Sequence, residues 1–443
     1  MPAAAVPRLV FLLASMLIVA GCSLGQSPAR SAGLPGPVRQ VLPNGVRVIV
    51  QEHRASDVVA LQLWIRAGGR DEAASELGLA HYLEHMLFKG TTSRPTGFID
   101  REVEGVGGRM NAGTSLDYTY YHTVLPLARL GPGIDLMADI SVNASLESAV
   151  LEAEKRVVLE EMRLSEDNPR RHLARQLQIA VFDGHPYGRP VIGTPELVRA
   201  LSRETLLAFY RRLYVPEALT LVVVGAVSPA DVFERAQKTF GRLPRSGSPP
   251  LPAPTPPAIR PRRIDVQRPG AQAYVALGWH APRIDHADTA AVDLLVTILG
   301  GTRTSRLTRA LRDNLEIVST VGSSYSALQA GGLVGVIAQT DRANLQRVET
   351  EILREVRRIR DEGVTEVERR RAVTALEAQH EFASETAEGR AHALGHAETV
   401  WKLADELAFL DRVRAVTRGE IQVAAQRYLD LERYVRIAFV PSK

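Results

Sequence analysis

The sequence predicts an α+β protein of two tandem related domains, each a mostly antiparallel sheet packed with helices on one side. Two observations support this prediction. Segments with the alternation of strands and segments with the 3.6-residue period of helices follow the same order in both halves of the chain. A proline-rich stretch that lacks either period, residues 245–263, separates the halves and indicates a semi-extended linker. It leaves an N-terminal domain over residues 37–244 and a homologous C-terminal domain over residues 264–443, both of ordinary domain size.

In the first half, a hairpin is predicted because apolar residues on both sides flank Pro43-Asn44-Gly45. Further strands are predicted over residues 58–67, 110–126 and 219–227, and helices over residues 78–89, 98–106, 127–142, 146–165 and 171–182. In the second half, strands are predicted within residues 273–279, 319–339 and 434–439, and helices over residues 305–312, 344–361, 366–385, 404–416 and 418–428. Thr365, with Glu368 three residues later, has the pattern of a capping box at a helix start.

The first 22 residues have the pattern of a lipoprotein signal peptide. An apolar run over residues 9–20 is too short to span a bilayer and is typical of a signal peptide. It ends in Val19-Ala20-Gly21-Cys22, which resembles the bacterial lipobox, and Cys22 is the single cysteine of the chain. We therefore expect Cys22 to carry the lipid, with residues 23–36 as a tether. Ordinary secretory cleavage, with Cys22 as a bystander, is the alternative.

This N-terminus predicts a protein anchored by lipid on the periplasmic side of the bacterial cell envelope. Ser23 follows the cysteine and is not a signal for retention in the inner membrane, so the outer membrane is favoured. The 443 residues include 54 basic and 50 acidic side chains, and no basic stripe indicates a nucleic-acid partner. With 45% hydrophobic and 23% charged residues, the composition is that of an ordinary globular protein.

One short segment, His81-Tyr82-Leu83-Glu84-His85, has the residue types and the spacing of a catalytic metal site. Residues four apart share a helix face, so His81 and His85 can present two imidazoles to one ion. Catalytic zinc takes three protein ligands and a water molecule, whose pKa it lowers. Glu84 can overlook that water without being a ligand and can act as its general base. The pattern predicts one Zn²⁺ per chain and hydrolysis of an amide. A helix with two surface histidines is the alternative.

The stretch from Gly78 to Thr91 resembles the signature of the pitrilysin and insulysin family of zinc peptidases, the inverzincins. It is most similar to the branch that contains bacterial processing-type peptidases and the mitochondrial processing peptidase. The resemblance implies that the third zinc ligand is Glu161, 76 residues beyond His85. It also implies that Glu154, two helical turns before Glu161, orients the ligands without binding the metal.

The stretch from Gly107 to Ser115 also resembles the family, in which it forms an edge strand that pairs with the backbone of an extended substrate. Carried over, Asn111 and Ala112 become substrate-positioning residues. An ordinary β-hairpin is the alternative.

A second part of the family's site departs from the pattern. Active members usually contribute an Arg and a Tyr, seven residues apart, from the C-terminal domain to bind substrate and stabilise the oxyanion. Arg312 matches the Arg, but Ser319 stands at the position of the Tyr, and Tyr325 is displaced by six residues. The resemblance therefore implies that Arg312 contacts substrate, while the Tyr must come from elsewhere.

This departure predicts a partner. In the processing-type branch, one subunit carries the zinc site and a homologous subunit carries the Arg–Tyr pair. We therefore expect this chain to be the metal-bearing subunit of a heterodimer that encloses a peptide substrate, with a homodimer as the alternative. Two other functions are weighed against it. One is a non-proteolytic assembly subunit of the same fold, against which the intact set of His81, Glu84, His85 and Glu161 argues. The other is a peptidase that matures a peptide-derived cofactor.

Overall fold

The computed structural model describes residues 36–247, 254–256 and 258–442. The predicted signal peptide, the lipidation site at Cys22 and the tether as far as residue 35 lie outside the described residues. The chain from Gly36 onward forms one compact unit. Over the part of the chain that the structure describes, no helix has both the length and the apolar character needed to cross a membrane.

The first half of the chain builds a six-stranded sheet with helices. Its elements are β1 (Val38–Val41), β2 (Arg47–Glu52), β3 (Val58–Ile65), α1 (Leu79–Leu87), α2 (Phe98–Glu104), β4 (Arg109–Thr114), β5 (Thr119–Pro126), α3 (Leu130–Val142), α4 (Ser148–Asp167), α5 (Pro169–Val181), α6 (Pro195–Ala200), α7 (Arg203–Leu213), β6 (Leu219–Gly225) and α8 (Pro229–Thr239).

The second half builds a five-stranded sheet with helices. Its elements are β7 (Arg262–Arg268), β8 (Ala273–Ala281), α9 (Thr289–Val296), two π-helical segments (Thr297–Gly301 and Thr308–Asn314), β9 (Thr320–Ala327), β10 (Gly332–Thr340), α10 (Leu345–Glu362), α11 (Glu366–Ala383), α12 (Ala387–Val400), α13 (Leu403–Leu407), α14 (Phe409–Ala415), α15 (Arg418–Tyr428) and β11 (Val435–Pro441).

The two sheets have the same topology. The first sheet has the order β1-β2-β6-β3-β5-β4, and the second has the order β7-β11-β8-β10-β9. The five strands of the second sheet thus correspond, in that order, to β2, β6, β3, β5 and β4, and β1 is the additional strand of the first sheet. In both, one pair is parallel, β2 with β6 and β7 with β11, and the other pairs are antiparallel. This confirms the predicted fold class of two related halves with mostly antiparallel sheets.

Each sheet is covered on both faces, because the halves exchange a helix. The expectation of helices on one side alone is therefore wrong. Helix α12 packs on the first sheet, where Ala391 and Leu394 contact a layer that includes Trp64. Helix α5 packs in the same way on the second sheet, where Leu177 contacts a layer that includes Ile437. The exchange explains why β3 and β6 are buried along nearly their whole length, and it joins the halves into one unit.

Several predicted elements differ from those in the structure. Residues 110–126, predicted as one strand, form the hairpin of β4 and β5, whose turn is closed by a hydrogen bond from Ser115 N–H to the Tyr118 carbonyl oxygen at 2.8 Å. Strand β7 begins inside the predicted linker, where it gains a parallel neighbour in β11. The predicted helix over residues 404–416 is divided into α13 and α14. The capping box of Thr365 and Glu368 is confirmed at the start of α11.

Candidate active site

Helix α1 carries the two candidate histidine ligands, and a buried carboxylate fixes its start. Gly78, the residue before the helix, has a φ of 95°, and a Cβ there would lie 2.8 Å from the Ile192 carbonyl oxygen. The Glu72 carboxylate accepts hydrogen bonds from the N–H groups of Gly78 at 3.0 Å and Ala80 at 2.8 Å. Burial raises the pKa of Glu72 to about 8, although these hydrogen bonds oppose the shift. Glu72, in the loop that precedes α1, thereby fixes the first turn of this helix.

One face of α1 is buried and the other faces a cleft. The buried residues are Leu79, Ala80, Tyr82, Leu83, Met86 and Leu87. The Tyr82 hydroxyl donates to the Leu151 carbonyl oxygen at 2.5 Å and ties α1 to α4. Because α1 is fixed in this rotation, His81, Glu84 and His85 are directed toward α4 and β4.

Three candidate ligand atoms converge between α1 and α4. Oε2 of Glu161 lies 3.7 Å from Nε2 of His81 and 3.4 Å from Nε2 of His85. Tetrahedral ligands at the usual zinc distances lie about 3.4 Å from one another. The residues present therefore fit a zinc ion. Among the described residues, these three form the group of His, Cys, Asp or Glu side chains whose ligand atoms all lie within 4.8 Å of one another.

Glu154 holds His85 from the side away from the candidate ligand atoms. Its Oε1 lies 2.9 Å from Nδ1 of His85, and its Oε2 accepts from Nζ of Lys89 at 3.0 Å. In the neutral form of His85, with Nδ1 donating to the carboxylate, the lone pair is on Nε2, which faces Glu161. The structure therefore places Glu154 where the resemblance implied, and it adds Lys89 as the cation that balances this buried carboxylate.

The ligand atoms differ in protonation. Burial and the neighbouring His85 lower the pKa of His81 to about 4, so this imidazole is neutral near pH 7. Burial also lowers the pKa of His85, but hydrogen bonds with Glu161 and Glu154 outweigh burial and raise it to about 9. The same hydrogen bond from His85 lowers the pKa of Glu161. Because a metal ligand must be an unprotonated imidazole, metal binding here is coupled to release of a proton from His85.

Glu84, the candidate base, is tied to the edge of the sheet. The Thr114 hydroxyl donates to Oε2 of Glu84 at 2.6 Å. Burial raises the pKa of Glu84, and the hydrogen bond from Thr114 opposes that shift. A carboxylate with one oxygen held and its pKa moved toward neutrality is suited to accept a proton and return it.

Strand β4 is the edge of the first sheet and forms one wall of the cleft, which has a volume of about 310 Å³. Asn111 and Ala112 line this cleft together with Glu84, His85 and Glu161. The N–H of Ala112 donates to the side-chain oxygen of Asn111 at 2.8 Å. The two residues predicted to position substrate are thus brought next to the candidate metal ligands.

Arg312 is not brought into this cleft. Its guanidinium donates to the carboxylate of the adjacent Asp313 at 2.8 Å. The backbone N–H of Ser319 donates a hydrogen bond within the second sheet. The Tyr325 hydroxyl donates to the Pro282 carbonyl oxygen at 2.7 Å. None of these side chains is among the described residues that line the cleft.

Three residues of the site were not predicted from the sequence. Lys89 lies one turn beyond His85 in the stretch that resembles the family signature, which was an available signal. Thr114 lies in the stretch around Asn111, where the alternation of a strand would have placed it on the same face as Ala112. Glu72 gave no signal, because its hydrogen bonds to α1 depend on the fold of the loop.

Comparisons with known proteins show the family to which the chain belongs. A family profile described as Insulinase (Peptidase family M16) matches residues 47–195, and one described as Peptidase M16 inactive domain matches residues 200–376. An uncharacterized zinc protease of Mycobacterium tuberculosis is 32% identical over 416 residues, which are 92% of this chain and 94% of the relative. The chain therefore belongs to peptidase family M16, the insulinase family of zinc peptidases, as the resemblance in sequence indicated.

Other relatives and solved structures show the same likeness. An uncharacterized zinc protease of Bacillus subtilis is 27% identical over a region that covers 74% of this chain and 80% of that protein. The crystal structure of a protease from Helicobacter pylori has a TM-score of 0.87 at 25% identity and covers 92% of this chain and 100% of that chain. A peptidase M16 inactive domain from Pseudomonas fluorescens has a TM-score of 0.84 at 21% identity, over 92% and 99% of the two chains, and shows the shared fold.

Proposed function

We propose that this protein is a zinc-dependent endopeptidase that hydrolyses extended or unfolded peptides. His81, His85 and Glu161 would hold the zinc, and Glu84 would be the general base. The observation that carries the proposal is the convergence of three ligand atoms within 4.8 Å, beside a carboxylate that Thr114 holds in place. An assembly subunit that only kept the fold would need none of these contacts.

The residues of the site have separate tasks in the reaction. Zinc, when bound, supplies Lewis acidity toward the substrate carbonyl and acidifies water. Glu84 takes the proton of the attacking water on its carboxylate and gives it to the nitrogen of the leaving amine. Thr114 keeps Oε2 of Glu84 oriented through both transfers, while Glu154 keeps Nδ1 of His85 hydrogen-bonded.

The edge position of β4 supports an extended peptide as substrate. A peptide added as a further antiparallel strand would run beside Asn111 and Ala112, within the cleft that also holds Glu84. To pair with the N–H of Ala112, the peptide backbone would displace the side-chain oxygen of Asn111, which can then bond the peptide instead. Such pairing recognises main chain, so it favours unfolded segments over folded proteins.

The placement of Arg312 supports a partner subunit. Its guanidinium is engaged by Asp313, and position 319 is a serine, so this chain lacks an Arg–Tyr pair beside Glu84 among its described residues. We propose that a homologous subunit supplies that pair and that this chain is the metal-bearing member of a heterodimer. A homodimer would bring a second Arg312 but no tyrosine at position 319.

We also propose that the protein is anchored by lipid at Cys22, on the periplasmic side and at the outer membrane. The support is the lipobox-like stretch from Val19 to Cys22. Labelling of growing cells with radioactive palmitate should mark the protein and not its Cys22→Ala variant. Labelling of both, or of neither, would contradict lipid attachment at Cys22.

Peptide hydrolysis and zinc content, measured on the same samples, test the proposed function. The purified chain would be assayed alone and mixed with a homologous subunit, beside Glu84→Gln. We expect about one zinc per chain in both forms. Hydrolysis should occur only in the mixture and fall at least about a hundredfold in Glu84→Gln. Hydrolysis by the chain alone would contradict the need for a partner subunit. Bound zinc without any hydrolysis would favour the alternative of a non-proteolytic assembly subunit.

A further inference from the structure

A second cleft lies in the other half of the protein, between the irregular segment 297–309 and helix α11. It has a volume of about 330 Å³ and shares no lining residue with the candidate active site. This volume is near the lower end of the range of about 300–1,000 Å³ that is usual for small-molecule sites. Its lining combines an apolar wall (Ile298, Ala372, Ala375 and Ala378), hydroxyl groups (Thr297, Thr302, Thr304, Ser305 and Thr374) and charged groups (Arg306, Arg309, Glu368 and Arg371).

The charges of this cleft do not balance. Glu368, its one acidic residue, is bound by Nε and Nη2 of Arg306 at 2.7 and 2.9 Å and also accepts from the N–H of Thr365 at 2.8 Å. Arg309 and Arg371 form no ion pair and no side-chain hydrogen bond with any residue the structure describes. Nη1 of Arg306 is buried and likewise has no partner among those residues. The cleft therefore presents two guanidinium groups that have no ion-pair partner among the described residues.

The backbone around the cleft is irregular in a way that is rare in proteins. Thr297–Gly301 and Thr308–Asn314 are π-helical, and Leu315 N–H donates to the Ala310 carbonyl oxygen at 3.1 Å, five residues back. Both segments supply lining residues, Ile298 from the first and Arg309 from the second. π-Helical turns occur frequently at functional sites. This is a second observation, independent of charge, that favours a binding site here.

We propose that this cleft binds a small amphiphilic anion that has a carboxylate or phosphate head and an apolar body. Guanidinium groups bind both heads by paired, charge-assisted hydrogen bonds, so Arg309 and Arg371 would take the head. The apolar body would lie on Ile298 and the alanines of α11. A cation would be repelled by the two arginines, and an inorganic anion would leave the apolar wall exposed to water.

Isothermal titration calorimetry on the purified protein tests the proposal with octanoate, octyl phosphate, inorganic phosphate and octylamine. We expect octanoate or octyl phosphate to bind. The one that binds more tightly indicates whether the natural ligand carries a carboxylate or a phosphate head. The double variant Arg309→Gln/Arg371→Gln should bind at least about tenfold more weakly, because each arginine contributes charge-assisted hydrogen bonds. The matched control is Arg370→Gln, which removes a charge from the next position of α11 outside the cleft and should leave affinity unchanged.

Three results would overturn the proposal. The first is that neither octanoate nor octyl phosphate binds. The second is that octylamine binds as tightly as octanoate. The third is that the double variant binds these anions as tightly as the natural protein does. Inorganic phosphate that binds as tightly as octyl phosphate would overturn the apolar part of the site. Both arginines are exposed and form no ion pair or side-chain hydrogen bond within the part of the chain that the structure describes, so the double variant should unfold at the same temperature as the natural protein. The titration does not depend on hydrolysis, so its outcome is separate from that of the proposed function.

Discussion

Thr114, the last residue of the edge strand β4, holds the candidate base Glu84 on helix α1 through a hydroxyl–carboxylate hydrogen bond of 2.6 Å. The bond is charge-assisted and joins the two elements that must act together, the strand that would pair with substrate and the helix that bears the base. This contact therefore fixes the position of Glu84 relative to the edge strand.

Replacement of Thr114 by valine should lower kcat about ten- to a hundredfold, because a hydrogen bond to a charged group is worth about 1.5–3 kcal/mol. KM and zinc content should change little, since neither depends on the hydroxyl. Steady-state kinetics and metal analysis of the same samples provide the measurement. Thr114→Ser keeps the hydroxyl and should retain most of the rate. A kcat for Thr114→Val equal to that of the natural protein would remove the positioning role.

Glu154 should control zinc affinity without being a ligand. Glu154→Gln keeps the shape of the side chain but removes the charge that faces His85 and Lys89. We expect zinc to bind about 10- to 100-fold more weakly, as measured by competition with a chelator. Glu160→Gln is the control, because Glu160 is an exposed acid of the same helix that pairs with Arg163. Equal zinc affinity in the two variants would contradict the role of Glu154.

The metal-site pattern was predictable because a helix fixes the faces of residues three and four apart. That rule alone predicts His81, Glu84 and His85 on one side of α1. In the structure His81 and His85 both lie beside Glu161, while Glu84 and His85 line the cleft. Glu161 came from resemblance alone, since the distance from α1 to α4 cannot be derived from spacing. Thr114 was missed because its contact with Glu84 depends on how the hairpin of β4 and β5 meets α1.

Substitution of Gly395 by alanine should separate α12 from the first sheet. A Cβ at this position would lie 2.0 Å from Nε1 of the buried Trp64, and neither element can move without disturbing the core. We expect the free energy of unfolding to fall by about 3 kcal/mol, the upper part of the range for overpacked sites. Urea denaturation provides the measurement.

Gly419→Ala is the matched control, because a Cβ there meets only Thr417 at 3.9 Å on helix α15. That variant should be unchanged or more stable by up to about 1 kcal/mol. If Gly395→Ala were as stable as this control, α12 would not be packed closely on Trp64.

Stability should fall as the pH is lowered, through a buried histidine of α12. Burial and the neighbouring His392 lower the pKa of His396 to about 4, and its ring packs on Trp64 and Tyr118. The unfolded chain takes up this proton near pH 6.5, whereas the folded chain does so only near pH 4. The stability lost between these values is up to about 3 kcal/mol.

His396→Leu should therefore lose less stability than the natural protein between pH 7 and pH 4.5. Urea unfolding at both pH values gives the difference, in which the titration of all other groups cancels. His286→Leu, at a half-exposed position, should follow the natural protein. The same pH slope in all three proteins would show that His396 is not buried neutral.

The exchange of helices between the halves was beyond prediction from the sequence. The apolar run of β6 is typical of a buried strand, but no local pattern tells that a helix of the other half covers the second face of the sheet. The hairpin of β4 and β5 was missed for a related reason. Its turn, Ser115-Leu116-Asp117-Tyr118, lacks glycine and proline and is held by Asp117, which forms a buried ion pair with Arg70 at 2.6 Å.

The location of zinc itself is the most direct test of the proposed metal site. Crystals of the purified protein grown with zinc would be measured at wavelengths above and below the zinc absorption edge. We predict one anomalous peak per chain, about 2.0–2.2 Å from Nε2 of His81, Nε2 of His85 and a carboxylate oxygen of Glu161. A peak at other residues, or none in crystals that diffract well, would contradict it.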